Sequence, residues 1–323
     1  MPRPAAVLGG LTAAGVGVLG YALLEARMPV LRRLDVPVLD AGEEPLTILH
    51  LSDLHLTDRT EARVAWVRDL ARTQPDVVVN TGDNLSFANG LEPLQRALEP
   101  FAHLPGAFVM GDHDYRTTVF KLPTRYLRRD PRSGDDPEQE AAVEALPWEG
   151  VRDLQTAAGW VDLTNARGSL TIGNRRLDLV GVDDPHVDRD MFPAPATESA
   201  SHGPDAIAPI RDRASRPLRL GLMHAPYRRV LDAMAGDGVG LAFAGHTHGG
   251  QLCVPGYGAL VTNCDLDRGR VSGLSRWPDA EPDPADPADM FLHVSAGLGT
   301  SPYTPVRLAC RPEATLLTLR PAR

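Results

Sequence analysis

The chain has 323 residues, of which 43% are hydrophobic and 23% charged, and its formal net charge is −9. That length and apolar content suit one large domain or two modest ones, with most of the chain folded around a core. The acidic balance argues against a nonspecific nucleic-acid-binding surface, because phosphates need a basic face.

Lys121 is the only lysine, so nearly all positive charge is arginine. Cys253, Cys264 and Cys310 fit neither a disulfide framework nor a zinc ribbon. At most one bridge could form between them, and three unpaired small apolar residues is the main reading.

Residues 4 to 24 carry no charge, and Arg3 precedes them. The run matches the ~20 residues that a helix needs to cross a bilayer. Gly9, Gly10, Gly15, Gly17 and Gly20 dilute it. Three readings stand: an uncleaved signal-anchor, a cleaved signal peptide, or a glycine- and alanine-rich helix lying on the protein. No cleavage site is obvious. Arg27, Arg32 and Arg33 follow the run, a bias that keeps the C-terminal side cytoplasmic by the positive-inside rule. The expectation is a membrane-associated protein held by residues 4–24, its side open, with export or a cytoplasmic location as alternatives. Residues 1–27 are then an apolar N-terminal segment, 28–45 a linker broken by Pro29, Pro37 and Gly42, and 46–323 the folded domain.

The domain begins with a buried-strand candidate, Leu46 to Leu51, ending at Ser52-Asp53-Leu54-His55. Residues 61 to 72 have helical periodicity. Asp76 to Asn80 is a second strand, ending at Gly82-Asp83-Asn84. Residues 91 to 99 suit a short helix, and Ala107 to Met110 is a third strand, ending at Gly111-Asp112-His113-Asp114. Residues 128 to 140 read as an exposed insertion, followed by a helix over 139–158 broken near Pro147. Trp160–Asn165, Ser169–Ile172 and Arg176–Val182 read as strands, and 190–217 as a loop. Leu218 to Met223 is a strand ending at His224, and a helix follows Pro226. The apolar run Val239 to Ala244 then empties into Gly245-His246-Thr247-His248-Gly249-Gly250-Gln251. Residues 277 to 289 read as a solvated acidic loop, and Met290–Ser295 and Ala314–Leu319 as late strands.

Strand, polar turn and helix thus repeat, the pattern of an α/β domain whose chemistry sits at strand ends. Five such ends offer ligand-type side chains: Asp53 and His55; Asp83; Asp112 and His113; His224; His246 and His248. A lone carboxylate there often caps a helix, and a lone histidine is often structural filler. Five ends on one sheet edge can converge, and two histidines separated by one residue suit delivery of nitrogen ligands to metal.

Asp53-Leu54-His55, Gly82-Asp83, Gly111-Asp112-His113-Asp114, His224 and Gly245-His246-Thr247-His248 stand in the order of the motifs of calcineurin-like metallophosphoesterases, which the chain resembles over roughly residues 46 to 320. His50 to His55, Gly181 to Pro185 and Gly245 to Gln251 are similar to the bacterial branch with an N-terminal membrane or export segment. The resemblance implies a four-layer α/β/β/α sandwich, with 46–323 as the metallophosphoesterase domain. It implies two divalent or trivalent metal ions about 3.5 Å apart, of a kind that imidazole and carboxylate favour: Mn, Fe or Zn. Position by position, Asp53, His55 and His248 would hold one ion; His224, His246 and Asp112 the other; and Asp83 would bridge them. A metal-bridging hydroxide would attack a phosphomonoester or phosphodiester. His113 would serve the leaving oxygen, with Asp114 orienting it. Asn84 is a candidate phosphate contact or helix cap, and Gln251 and Tyr115 candidate cleft residues. Asp183 and Asp184 shape a turn. His50, His103, His186, His202 and His293 lie outside the motifs and read as structural.

Asp112 departs from the family, which usually has Asn there. A third carboxylate beside Asp53 and Asp83 implies tighter metal binding and a less acidic bridging water, or a tolerated swap. Two narrower readings accompany the main one: a lipid-linked or nucleotide-sugar substrate, and a catalytically weak metal-binding scaffold acting through partners.

Overall fold

Strands that are apolar on both faces must be covered on both sides, and that requirement sets the architecture. The computed structural model describes residues 4–118, 143–194, 217–278 and 289–322. In chain order its main elements are α1 (Pro4–Glu25), β1 (Val30–Leu39), β2 (Leu46–Leu51), α2 (Glu61–Asp69), β3 (Val77–Asn80), α3 (Leu91–Leu98), β4 (Gly106–Phe108), α4 (Asp112–Tyr115), α5 (Trp148–Ala157), β5 (Val161–Asp162), β6 (Ala166–Ile172) and β7 (Arg175–Gly181). There follow β8 (Arg219–Leu222), α6 (Arg228–Gly236), β9 (Leu241–Ala244), β10 (Cys253–Val254), β11 (Gly258–Ala259), β12 (Gly273–Trp277), β13 (Met290–Val294) and β14 (Glu313–Pro321).

Two six-stranded sheets result, ordered β1-β14-β2-β3-β4-β5 and β12-β13-β9-β8-β7-β6. Side chains on a strand alternate between faces. Ile48, Val77, Val79, Leu317 and Leu319 of the first sheet therefore meet Leu177, Leu179, Leu220, Leu241 and Phe243 of the second, in the core between the sheets. The opposite face of the first sheet, with Leu49, Leu51, Val78 and Phe108, packs on Val64, Val67, Leu94, Leu98 and Val151 of α2, α3 and α5. The opposite face of the second, with Val180, Ala242, Ala244 and Val294, packs on Val230, Leu231 and Met234 of α6. The expected four-layer α/β/β/α sandwich is what these contacts build. β2, β3 and β4 run parallel, as do β7, β8, β9 and β13, so each set ends on one edge of its sheet.

Several local expectations shift. Residues 28–45 read as a linker in the sequence, yet Val30–Leu39 is β1, paired in parallel with β14. Pro37 is tolerated because β1 is an edge strand, where a missing N–H costs little. The helix expected over 139–158 begins only at Trp148, after Pro147, and residues 139–142 lie outside the described set. Trp160–Asn165 contributes only Val161–Asp162 as strand. β12 has no counterpart among the expected strands. The insertion at 128–140 and most of the loops at 190–217 and 277–289 also lie outside the described residues.

The membrane-anchor expectation is overturned. Among the described residues, no helix is long and apolar enough to cross a membrane. Residues 4–24 do belong to a helix, in which Gly9, Gly10, Gly15, Gly17 and Gly20 interrupt the apolar side chains. The end of α1 is tied to the domain: Ala22 O accepts from Arg307 N at 3.0 Å, and the buried Glu25 carboxylate accepts from Ala309 N and Cys310 N at 3.1 and 2.8 Å.

Candidate metal centre

The loops after β2, β3 and β9 turn sharply, and their polar side chains sit in left-handed backbone. Asp53 (φ 51°), His55 (φ 43°), Asp83 (φ 55°), His246 (φ 66°) and His248 (φ 49°) all have positive φ, which costs energy for residues with a Cβ and marks strained functional turns. The neighbouring glycines permit the crowding. A Cβ on Gly245 would lie 1.9 Å from Ser52 Oγ and 2.5 Å from Asp53 Oδ2. One on Gly111 would lie 2.4 Å from Asp83 Oδ1 and 2.8 Å from His224 Nδ1.

Two groups of ligand atoms converge, each within 4.8 Å: Asp53, His55 and His248; and Asp53, Asp83 and His224. His55 Nε2 lies 3.6 Å and His224 Nε2 3.3 Å from Asp83 Oδ2, and His248 Nε2 lies 3.6 Å from Asp53 Oδ1. Asp83 thus faces one histidine of each group, while Asp53 is common to both. Two donors about 2.1 Å from one tetrahedral ion would lie about 3.4 Å apart, so these separations fit a cation between the atoms. Both ring nitrogens of His55 and Nε2 of His224 are buried with no hydrogen-bond partner. Such atoms are costly unless something else satisfies them, and a metal ion does so. His224 Nδ1 lies 2.7 Å from Thr81 O and donates to it, which leaves the Nε2 lone pair for a ligand.

Electrostatics follow the same division. Burial, with help from His113, Arg63 and His224 against Asp83, brings the His55 pKa down to about 3. Burial brings His248 to about 3 against the pull of Asp53, and His246 to about 4. These rings are neutral at pH 7, the form that binds metal. Burial would lower His224 too, but the Asp83 and Asp184 carboxylates hold its pKa well above the usual range. A cation taking the place of that proton would make metal binding release it.

Two expected ligands have other partners. The Asp112 carboxylate is gripped by Arg116: Nε bonds Oδ1, and Nη2 lies 3.2 Å from Oδ2. His246 N donates to both Asp53 oxygens at 3.1 Å, while its Nε2 meets Asn263. Its ring stays close, 5.2 Å from that of His224.

His113 is half-buried, its ring 5.3 Å from that of His55, and its N–H donates to Asp83 Oδ1 at 2.8 Å. Its Nδ1 lies 3.4 Å from Arg116 O. The expectation that Asp114 orients the His113 ring is not met. Its carboxylate instead accepts from the backbone N–H groups of Asp83, Asn84 and Gly111 at 2.8–3.0 Å and from Asn84 Nδ2 at 3.3 Å. Asp114 therefore clamps the β3 loop to the β4 loop. Burial, with the nearby Asp83 charge, raises its pKa to about 6 despite those donors.

Asn84 bonds Asn80 and Asp114. Gln251 Nε2 donates to Thr304 O and Val306 O, and Tyr115 OH donates to Asp183 Oδ1. Asp184 shapes the expected turn by accepting from His186 N, and it also accepts from Asp112 N.

Sequence reasoning missed three supports. Arg307, fully buried, donates to His248 O at 3.2 Å, Gly297 O at 3.1 Å and Gly299 O at 2.6 Å. Arg63 donates to Leu54 O and His55 O at 2.7 and 2.9 Å. His186, read as structural, has its ring 4.3 Å from that of His246. Arg116 was missed as well, although the Asp112-x-x-x-Arg116 spacing, which pairs charges across a helical turn, was a usable signal.

These loops belong to a strand-end metallohydrolase scaffold. Residues 46–250 match the calcineurin-like phosphoesterase family, and the chain belongs to it. Similar curated proteins include the uncharacterized metallophosphoesterase YkuE of Bacillus subtilis, 24% identical, with 86% of this chain and 80% of that protein covered. Phosphodiesterase YaeI of Escherichia coli is 26% identical, with 85% and 82% covered. A solved structure, the 5'-nucleotidase precursor from Thermus thermophilus, aligns at a TM-score of 0.41 and 16% identity, covering 85% of this chain and 55% of that one.

Proposed function

We propose that the chain is a dinuclear-metal-dependent phosphoesterase that hydrolyses a phosphomonoester or phosphodiester. The observation that carries this reading is the convergence of Asp53, His55, Asp83, His224 and His248, with three buried imidazole nitrogens that lack any hydrogen-bond partner. Asp53, His55 and His248 would hold one ion. His224 and His246 would hold the other, with Asp112 contributing a carboxylate lone pair that its fork with Arg116 leaves open. Asp83, which faces a histidine of each group, suits the shared position. Mn, Fe or Zn fit this nitrogen and carboxylate set. When bound, such ions supply an activated water and neutralise charge on phosphate oxygens.

The protein's own groups do the rest. His113 sits beside the ligand groups, its backbone fixed by Asp83, and its Nδ1 faces the Arg116 carbonyl. An imidazolium that donates Nδ1–H to that carbonyl can present Nε2–H to the leaving oxygen and give up its proton there, leaving the neutral ring still held through Nδ1. Asp114 holds the loops carrying Asp83 and His113 in register. The burial of Asp53, Asp83 and His224 limits water access from behind the site.

The test is elemental analysis of protein purified without chelator, beside turnover of bis-p-nitrophenyl phosphate with Mn, Fe, Zn or Mg added back. Near two metals per chain with metal-dependent turnover is the expected result. A chain that binds none of these metals under any condition would overturn the reading.

A further inference from the structure

Asp112 stands where the motif resemblance implies Asn, and its side chain is only 12% exposed. A buried carboxylate needs a countercharge or a metal. Here the countercharge is the Arg116 guanidinium, brought close by the local backbone turn. The turn α4 ends at Arg116, whose N–H closes on Asp112 O at 3.1 Å. A bridge between Arg116 and Ala145 fixes the strand that leaves the turn. The guanidinium then folds back as a two-pronged fork onto both carboxylate oxygens, the strongest geometry available to such a pair. Asp184 takes the Asp112 N–H, Asp53 and Asp83 stand in the ligand groups, and the basic group there, His224, faces Asp83.

We propose that Arg116 is a positioning residue that cancels the charge of Asp112, so that the centre keeps the charge balance it would have with an amide at that position. This inference rests on the metal-centre reading above. Of the two expectations drawn from the sequence, tighter metal binding or a tolerated swap, it favours the swap. Asp112 keeps an oxygen lone pair for a ligand while Arg116 holds the group in place. Arg116 remains 41% exposed, so the compensation is partly screened.

The experiment is a double-mutant cycle with Arg116→Met, Asp112→Asn and the double variant, and with Arg116→Lys as the conservative control. The first readout is the half-time for a chelator to extract metal from the purified protein. Arg116→Met leaves an uncompensated anion and should slow extraction by about fivefold, whereas Asp112→Asn leaves an uncompensated cation and should speed it by about as much. The double variant and Arg116→Lys should return to within about twofold of the parent. The second readout is the melting temperature in excess chelator, where Arg116→Met should lower it and Asp112→Asn should restore it in the double variant. Single variants that shift extraction in the same direction, a double variant as far from the parent in extraction as either single variant, or melting effects that simply add would overturn the proposal. A parent chain that holds no metal would sink the reading of the centre instead, and the melting cycle would then decide the pair by itself.

Discussion

The Nδ1 atoms of His50 and His293 lie 2.9 Å apart, joining β2 of the first sheet to β13 of the second inside the core. The hydrogen bonds beyond them run one way. Ser52 donates to Asp53 Oδ2 at 2.6 Å, and Thr81 donates to Ser52 at 2.7 Å. Thr81 Oγ1 must then accept from His50 Nε2, 2.9 Å away. His50 Nδ1 is left as an acceptor, so His293 Nδ1 carries the proton and its Nε2, buried without a partner, carries none. Both rings are neutral, and a chain of donors ends on a candidate metal ligand.

That chain predicts a pH dependence of stability. Burial takes the His293 pKa down from 6.5 to about 3, and burial with the neighbouring His293 takes His50 well below its usual value. The unfolded chain therefore binds protons below pH 6.5 that the folded chain refuses. The contribution to stability is complete above pH 6.5 and declines as pH falls toward about 3, by up to about 1.4 kcal/mol per pH unit for each group. Melting temperature should drop between pH 7.5 and 5, and His293→Leu should shallow that slope. An unchanged slope in the variant would remove His293 from the account.

Asp83→Ala should empty the centre. It removes the oxygen that faces both His55 and His224 and leaves two buried imidazoles with no counterpart. Bound metal should fall below half of the parent value, and kcat/KM for bis-p-nitrophenyl phosphate by about 10³-fold or more. Elemental analysis of the same preparation separates metal loss from misfolding, which circular dichroism would report.

His113→Ala should behave differently. His113 is outside both ligand groups, so metal content should hold. Turnover should fall by about 10²-fold or more with a poor alkoxide leaving group, which needs a proton, and less with p-nitrophenolate, which does not. Equal losses with both leaving groups would contradict the role given to His113.

Arg307→Met should destabilise the fold by about 3 kcal/mol, because the carbonyls of His248, Gly297 and Gly299 lose buried donors together. Denaturant melts at fixed metal concentration measure this. Loss of His248 alignment should also quicken metal release.

The two sheets are readable in the sequence because β2, β3, β8 and β9 are short apolar runs, each ending in a polar turn, and burial on both faces leaves that trace. The candidate ligands are readable for the same reason, since each follows such a run. What escapes is whatever depends on a partner distant in sequence. β1 pairs with a strand almost at the far end of the chain, and its Pro37 disguises it as a linker. Arg307 reaches His248 across a packed loop, and nothing local distinguishes it from any other arginine. Asp114 lies next to His113 in sequence, but the turn directs its carboxylate to the backbone of Asp83 and Asn84, so adjacency misleads.

The left-handed backbone at Asp53, His55, Asp83, His246 and His248 also acts as a filter on mutation. Glycine enters such φ values freely, and Asn, Asp and His are the side chains that tolerate them best, while β-branched residues do not. A drifting sequence can exchange Asp for Asn or Gly at these turns and still fold, but it cannot readily place Val or Ile there. Chemistry at these positions can therefore fade by single steps while the loops keep their shape, and a return to Asp or His stays one step away.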